Sequence, residues 1–251
     1  MSLRRHGVGG ERAIGQVCDL PRSSGHVTHI RAVILDVDGT VATCPYDFEA
    51  MRAAVARVAE QWGWRGECRP PRGIVERIAL IAEELGERGS RFRQEAEHAV
   101  TRLELQGAQA SCLLSGAAEA LGELRGRGLR VGLITRNCRA ATERVLAGLT
   151  AYDVLLTRDD VPHAKPNPDH VHKALALLGC AAEHTAVVGD HTFDMEAGRA
   201  AGAGLCIGVR TGNSRDEDLL AAGADAVVDS VAELPEWLHA WERGQPRGDG
   251  Q

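Results

Sequence analysis

A chain of 251 residues that is 44% hydrophobic can fill a complete core, as one large domain or as a domain carrying an insertion. Its formal net charge of -6 argues against a general nucleic-acid binder or a membrane-surface protein, and no apolar run reaches membrane-spanning length. The seven cysteines form no C-x-x-C pair, so they read as reduced thiols of a cytoplasmic protein and not as a disulfide frame or zinc knuckle.

Residues 1–28 are rich in Gly, Arg and Ser and show no periodicity, which predicts a loose tail. Arg4, Arg5 and His6 lead into no apolar segment, so no secretory leader is expected. Ala32-Val33-Ile34-Leu35 then reads as a strand buried on both faces, and it runs into Asp36-Val37-Asp38-Gly39-Thr40. Alternation puts Asp36 and Asp38 on one side of an extended chain, at the strand end where open α/β sheets bind ligands. Two like charges held that close favour a bound cation or a shared proton. The Asp-Gly pair also suits a surface turn. An EF-hand loop fits less well: Asp36, Asp38 and Asp47 have ligand-like offsets, but the glycine is misplaced and a strand leads in.

A helix is predicted over 47–61, with Phe48, Met51, Val55 and Val58 on one stripe. Trp62-Gly63-Trp64 and Pro70-Pro71 break it, and helical patterns return over 72–85 and 90–106. Nothing between 44 and 112 resembles a strand. This block is therefore expected to be an inserted helical cap, with Trp62 and Trp64 in its core. From residue 115 helices (117–127, 138–149, 169–178, 193–201, 216–222, 232–241) alternate with strands (130–135, 153–156, 185–188, 205–209, 226–228). That rhythm calls for an α/β fold with a doubly wound, Rossmann-like parallel sheet. The expected division is a core of 29–43 and 113–243, a cap of 44–112 and a C-terminal tail of 244–251.

Three further groups follow strand ends. Thr135-Arg136-Asn137 precedes a helix and offers a hydroxyl and backbone N–H groups to an anion, although N-capping by Thr135 or Asn137 explains it too. His163-Ala164-Lys165-Pro166-Asn167-Pro168-Asp169 holds Lys165 on a proline-stiffened loop. A lone loop lysine is usually solvated, and His163 and His170 read as surface or capping residues. In Gly189-Asp190-His191-Thr192-Phe193-Asp194, Asp190 ends a strand and Asp194 lies one turn into the next helix. Carboxylates with few basic neighbours suit a hard divalent ion such as Mg2+, though a cap and a first-turn acid give the same pattern.

These motifs, in this order from about residue 30 to 235, resemble those of the haloacid dehalogenase superfamily of phosphohydrolases. Asp36-Val37-Asp38-Gly39-Thr40 looks like its first motif, Thr135 its second, Lys165 its third, and Gly189-Asp190 with Asp194 its fourth. The insert looks like the α-helical cap of phosphoglycolate phosphatase-like members. The resemblance implies that Asp36 is a nucleophile forming an aspartyl-phosphate and that Asp38 is the general acid/base. It implies that Thr135, the N–H of Arg136 and Lys165 hold the phosphoryl group. Mg2+ would sit among Asp36, the Asp38 carbonyl and Asp190, with Asp194 joining that shell or orienting Lys165. An acid at position 38 argues for phosphate chemistry, because the family's dehalogenases lack one. Arg136, where asparagine is frequent, and His191, where a small hydroxyl residue is usual, depart from the pattern. The implied substrate is a small phosphorylated metabolite, phosphoglycolate by default; oligomeric state is not legible. The alternatives are a phosphosugar mutase, for which no cap residue stands out as base or basic grip, and a catalytically silent binding module.

Overall fold

Five consecutive apolar-to-acidic residues, Ala32–Asp36, make a first strand (β1) that is buried along its whole length. This computed structural model describes residues 29–66 and 73–244; the expected N-terminal tail, the C-terminal tail beyond Gly244 and the Pro70-Pro71 break lie outside the described residues. Beside β1 run β2 (Arg130–Ile134), β3 (Val154–Leu156), β4 (Thr185–Gly189), β5 (Leu205–Val209) and β6 (Ala226–Val228). All pairs are parallel in the order β3-β2-β1-β4-β5-β6, so β1 is central and the winding reverses between β1 and β4. A strand order that reverses in this way leaves a crevice at the carboxyl ends of those two strands. Register brings the motif residues level there. Asp36 lies opposite Ile134, one residue before Thr135, and Leu35 lies opposite Val188, two residues before Asp190.

Alternation along β1 feeds two cores. Val33 and Leu35 pack with Leu121, Leu124, Val145 and Leu238 on one face; Ala32 and Ile34 pack with Val171, Met195 and Leu219 on the other. The first face is covered by α4 (Ala117–Gly126), α5 (Arg139–Val145) and α9 (Leu234–Gly244). The second is covered by α6 (Asp169–Leu178), α7 (Thr192–Ala200) and α8 (Asp216–Ala221). Helix α5 is shorter than the predicted 138–149. Gly148, at φ +88°, turns the chain, and Leu146 and Leu149 are buried from that turn at spacings that mimic helix.

Between β1 and α4 stand α1 (Phe48–Gln61), α2 (Ile74–Glu84) and α3 (Gly89–Ala110), packed around a third cluster that includes Met51, Val55, Ile81, Phe92 and Val100. The described part of this block contains no strand. Asp47 caps α1, its Oδ1 accepting from the Ala50 N–H at 2.8 Å, and so belongs to no ion-binding loop. Trp62 and Trp64 pack against the third cluster and donate their indole N–H groups to Glu95 (2.9 Å) and Glu84 (2.6 Å). Phe48 departs from the expected stripe: it is 40% exposed and lines a cavity instead of the core. The carboxyl end of α3 is tied to the α/β layer by a buried ion pair. Glu104, 3% exposed, pairs with Arg158 and accepts from the Cys138 N–H at 3.3 Å, while Arg158 donates to Thr101 Oγ1 at 3.1 Å.

The five described cysteines are free thiols. Among the described residues no helix is long and apolar enough to cross a membrane.

Candidate active site

The carboxyl ends of β1, β2 and β4 and the loop after β3 converge on one point. Asp36 is 8% exposed at the end of β1. Lys165, 1% exposed, reaches it from the loop after β3: its Nζ donates to Asp36 Oδ1 at 2.5 Å and to Asp194 Oδ1 at 2.6 Å. It is therefore no solvated loop lysine. Thr135 is buried and donates its hydroxyl to Asp38 Oδ2 at 2.7 Å, while accepting from the Asn137 N–H at 3.1 Å. Neither Thr135 nor Asn137 caps α5; that position belongs to Cys138. Asp194 Oδ2 accepts from the His191 N–H at 3.1 Å, and His191 Nδ1 accepts from the Phe193 N–H, so the helix cap and the lysine anchor share one side chain. Oxygens of Asp36, Asp190 and Asp194 all lie within 4.8 Å of one another.

Two glycines make the convergence sterically possible. Gly39 holds φ +89°, a backbone region that side-chain-bearing residues avoid, and a Cβ there would meet Asp190 Oδ2 at 2.6 Å. At Gly189 a Cβ would meet Asp194 Cγ at 2.2 Å.

His170 is fully buried, contrary to the expected surface or capping role. It donates from Nε2 to the Thr157 carbonyl (2.9 Å) and accepts at Nδ1 from the Lys165 N–H (3.4 Å), bracing the lysine loop. Burial lowers its pKa to about 4, which keeps the ring neutral, and these two partners place its proton on Nε2. His163 is exposed and bonds Asp169, as expected.

Electrostatically the site is anion-rich. Three buried carboxylates (Asp36, Asp190, Asp194) and the half-buried Asp38 face one ammonium. Burial opposes the charge on Lys165, but Asp194 and Asp36 outweigh it and raise the lysine pKa. Burial also drives Asp36 well up, against the pull of Lys165. Asp38 rises to about 6 by burial, with the Thr135 hydroxyl opposing, and Asp190 rises to about 7 by burial and by the Asp194 charge. A carboxyl harder to ionise in the folded chain than in the unfolded one loses its stabilising contribution as pH rises through the folded pKa. In chelator, Asp190→Asn should therefore gain in thermal midpoint over the unaltered chain between about pH 4 and 7, by about 5 °C. A difference that stays flat with pH would contradict this.

Above the carboxylates lies a cavity of about 380 Å³. Its walls carry Arg52, Arg77 and Glu97 from α1, α2 and α3, besides Tyr46, Phe48 and Ile74. The sequence alone had not singled out any cap cation, yet Arg77 Nε is buried here without a hydrogen-bond partner. On both helices the arginine flanks a buried apolar residue, Met51 or Ile78, and that flanking position was the available signal. The Arg136 side chain turns toward the cap. It pairs with Glu76 at 2.7 Å, donates to the Lys165 carbonyl and lies 4.6 Å over the Phe193 ring.

The haloacid dehalogenase-like hydrolase family model matches residues 30–202. The plasmid phosphoglycolate phosphatase of Cupriavidus necator is 32% identical over 222 residues, covering 82% of this chain and 92% of the relative. That of Rhodospirillum rubrum is 29% identical over 233 residues, 87% of this chain and 94% of the relative. Among solved structures, a phosphonoacetaldehyde hydrolase-like protein from Oleispira antarctica superposes with a TM-score of 0.63 at 22% identity, covering 98% of this chain and 100% of that one, a likeness of fold. The length of the family match, and the identity to the Cupriavidus enzyme over most of both chains, make this protein a member of the haloacid dehalogenase-like hydrolases.

Proposed function

We propose that the protein is an Mg2+-dependent phosphatase that hydrolyses a small phosphate monoester through an aspartyl-phosphate. The observation carrying this reading is Lys165, a buried ammonium bridging Asp36 and Asp194 beneath the cavity. Asp36 attacks phosphorus, which divides one hard displacement into two easier ones. Asp38 protonates the departing alkoxide and then takes a proton from the water that attacks the aspartyl-phosphate. A pKa near 6 suits both tasks close to neutrality. The Thr135 hydroxyl, engaged with Asp38 when no ester is bound, turns to a phosphoryl oxygen, joined by the N–H of Arg136 and by Lys165.

The excess of buried carboxylates over cations, all of them hard oxygen donors, fits Mg2+. Asp36, the Asp38 carbonyl and Asp190 would hold it, with Asp194 in reach although already bonded to Lys165 and His191. When bound, the ion neutralises charge on the phosphate oxygens.

Substrate choice belongs to the cavity roof. Arg52 and Arg77 suit a leaving group with an anionic group of its own, such as the carboxylate of phosphoglycolate, the substrate named for two relatives. The same cations would grip a phosphosugar in a mutase, and the product distinguishes the two: free phosphate is expected, not an isomerised sugar phosphate. As the test, p-nitrophenyl phosphate hydrolysis should fall by at least about 100-fold in EDTA and return with Mg2+. Chelator-insensitive turnover would sink the metal-dependent reading.

A further inference from the structure

Asp38 has two carboxyl oxygens, and only one is held. Oδ2 accepts from Thr135, while Oδ1 is buried without a hydrogen-bond partner. The hydroxyl of Tyr46 is likewise buried and without a partner, and it lines the same cavity. The two groups are near enough that the hydroxyl stabilises the ionised carboxyl, though neither oxygen has completed its bonding. An unsatisfied buried hydroxyl costs stability, and phenylalanine would fill the same space without it. Packing alone therefore does not account for the oxygen.

The ring itself is firmly placed. Tyr46 is buried where the chain leaves β1 for the cap, against the cluster that contains Met51, Val55 and Val100. It also lies over Gly107 of α3, where a Cβ would meet ring Cδ1 at 2.3 Å. Gly107 thus supplies the space in which the ring sits, and the ring sets where the hydroxyl stands.

We propose that Tyr46 is a positioning residue for Asp38, its hydroxyl steadying the oxygen that carries the proton to the leaving group. Once Thr135 has turned to the phosphoryl group it no longer holds Asp38, and the Tyr46 hydroxyl then keeps the carboxyl from pivoting. This proposal rests on the phosphatase reading. In the step concerned, the P–O bond to the alcohol breaks, the alkoxide receives the Asp38 proton, and Asp38 is left as a carboxylate. Tyr46 neither gains nor loses a proton.

Leaving-group dependence tests it. An alkoxide needs that proton, whereas p-nitrophenolate, far less basic, leaves almost without it. The measurement is kcat/KM, with Mg2+, for p-nitrophenyl phosphate and for two alkyl esters, phosphoglycolate and glycerol 3-phosphate. In Tyr46→Phe the aryl-to-alkyl ratio should rise at least about tenfold, a fraction of the effect usual for a general acid. Gly107→Ala, which keeps the tyrosine but pushes its ring, and with it the hydroxyl, away from Asp38, should move the ratio the same way, and it decides alone if Tyr46→Phe does not fold. A merely structural role lowers all three values together, and an unmoved ratio overturns the proposal while the phosphatase reading stands. If the unaltered enzyme hydrolyses none of the three esters, the phosphatase reading falls and the proposal with it.

Discussion

Asp36→Asn should lower kcat for p-nitrophenyl phosphate by at least about 10⁴-fold, the scale seen when a covalent nucleophile is removed. The amide keeps the size and the Oδ1 acceptor that Lys165 uses at 2.5 Å, so the site keeps its shape and loses only the attacking charge. Burial beside Asp38, Asp190 and Asp194 makes the Asp36 charge costly, and removing it should leave the thermal midpoint unchanged or higher. Initial rates alongside thermal unfolding separate this from misfolding. Substantial turnover in a well-folded Asp36→Asn chain would exclude an aspartyl-phosphate at this position.

Lys165→Met should damage both fold and activity. Its ammonium is 1% exposed and is shared by two carboxylates that are themselves buried. Removing one member of a buried ion pair typically costs about 3–5 kcal/mol, because the remaining charges must ionise in a poor solvent or take up protons. Here the lower figure applies: burial already makes the Asp36 charge costly even beside Lys165, so the penalty is about 3 kcal/mol. Activity should fall by about 10³-fold, since positive charge at the phosphoryl oxygens is lost and Asp36 protonates. If Lys165→Met keeps full activity, Lys165 has no part in the chemistry, whatever it contributes to folding. If it keeps activity only after added Mg2+ is raised, the metal and the lysine share the neutralising task.

Much of this was legible in the chain. β5, β6 and α6 coincide with the predicted ranges, because the strands are short apolar runs and the helix a period-3.6 run, entered from Gly204, Asp225 and Pro168 in turn. The convergence of Asp36, Asp38, Thr135, Lys165 and Asp190 followed from placing every motif at a strand end. What stayed hidden depended on where side chains turn after the chain folds. His170 has the local look of a polar helix residue, and only the approach of the Thr157 loop buries it. Arg136 adjoins the phosphate motif in sequence, yet a glutamate sixty residues upstream draws its side chain into the cap. Phe48 fits a helical stripe, but α2 and α3 pack on the neighbouring face and leave it to the cavity. Tyr46 gave no signal, since a tyrosine before a helix cap is unremarkable until its hydroxyl is found beside Asp38.

The anchoring of α3 through Glu104 makes that helix a lever with its fulcrum at one end. At 1.5 Å per residue, Gly89 stands about 22 Å from Glu104, so a swing of about 10° displaces it by about 4 Å. A rotation that small leaves Gly107, three residues from Glu104, and the Tyr46 ring packed on it almost stationary. A tilt of α3 about Glu104 would therefore shift its amino end without moving the phenol ring beside the acid.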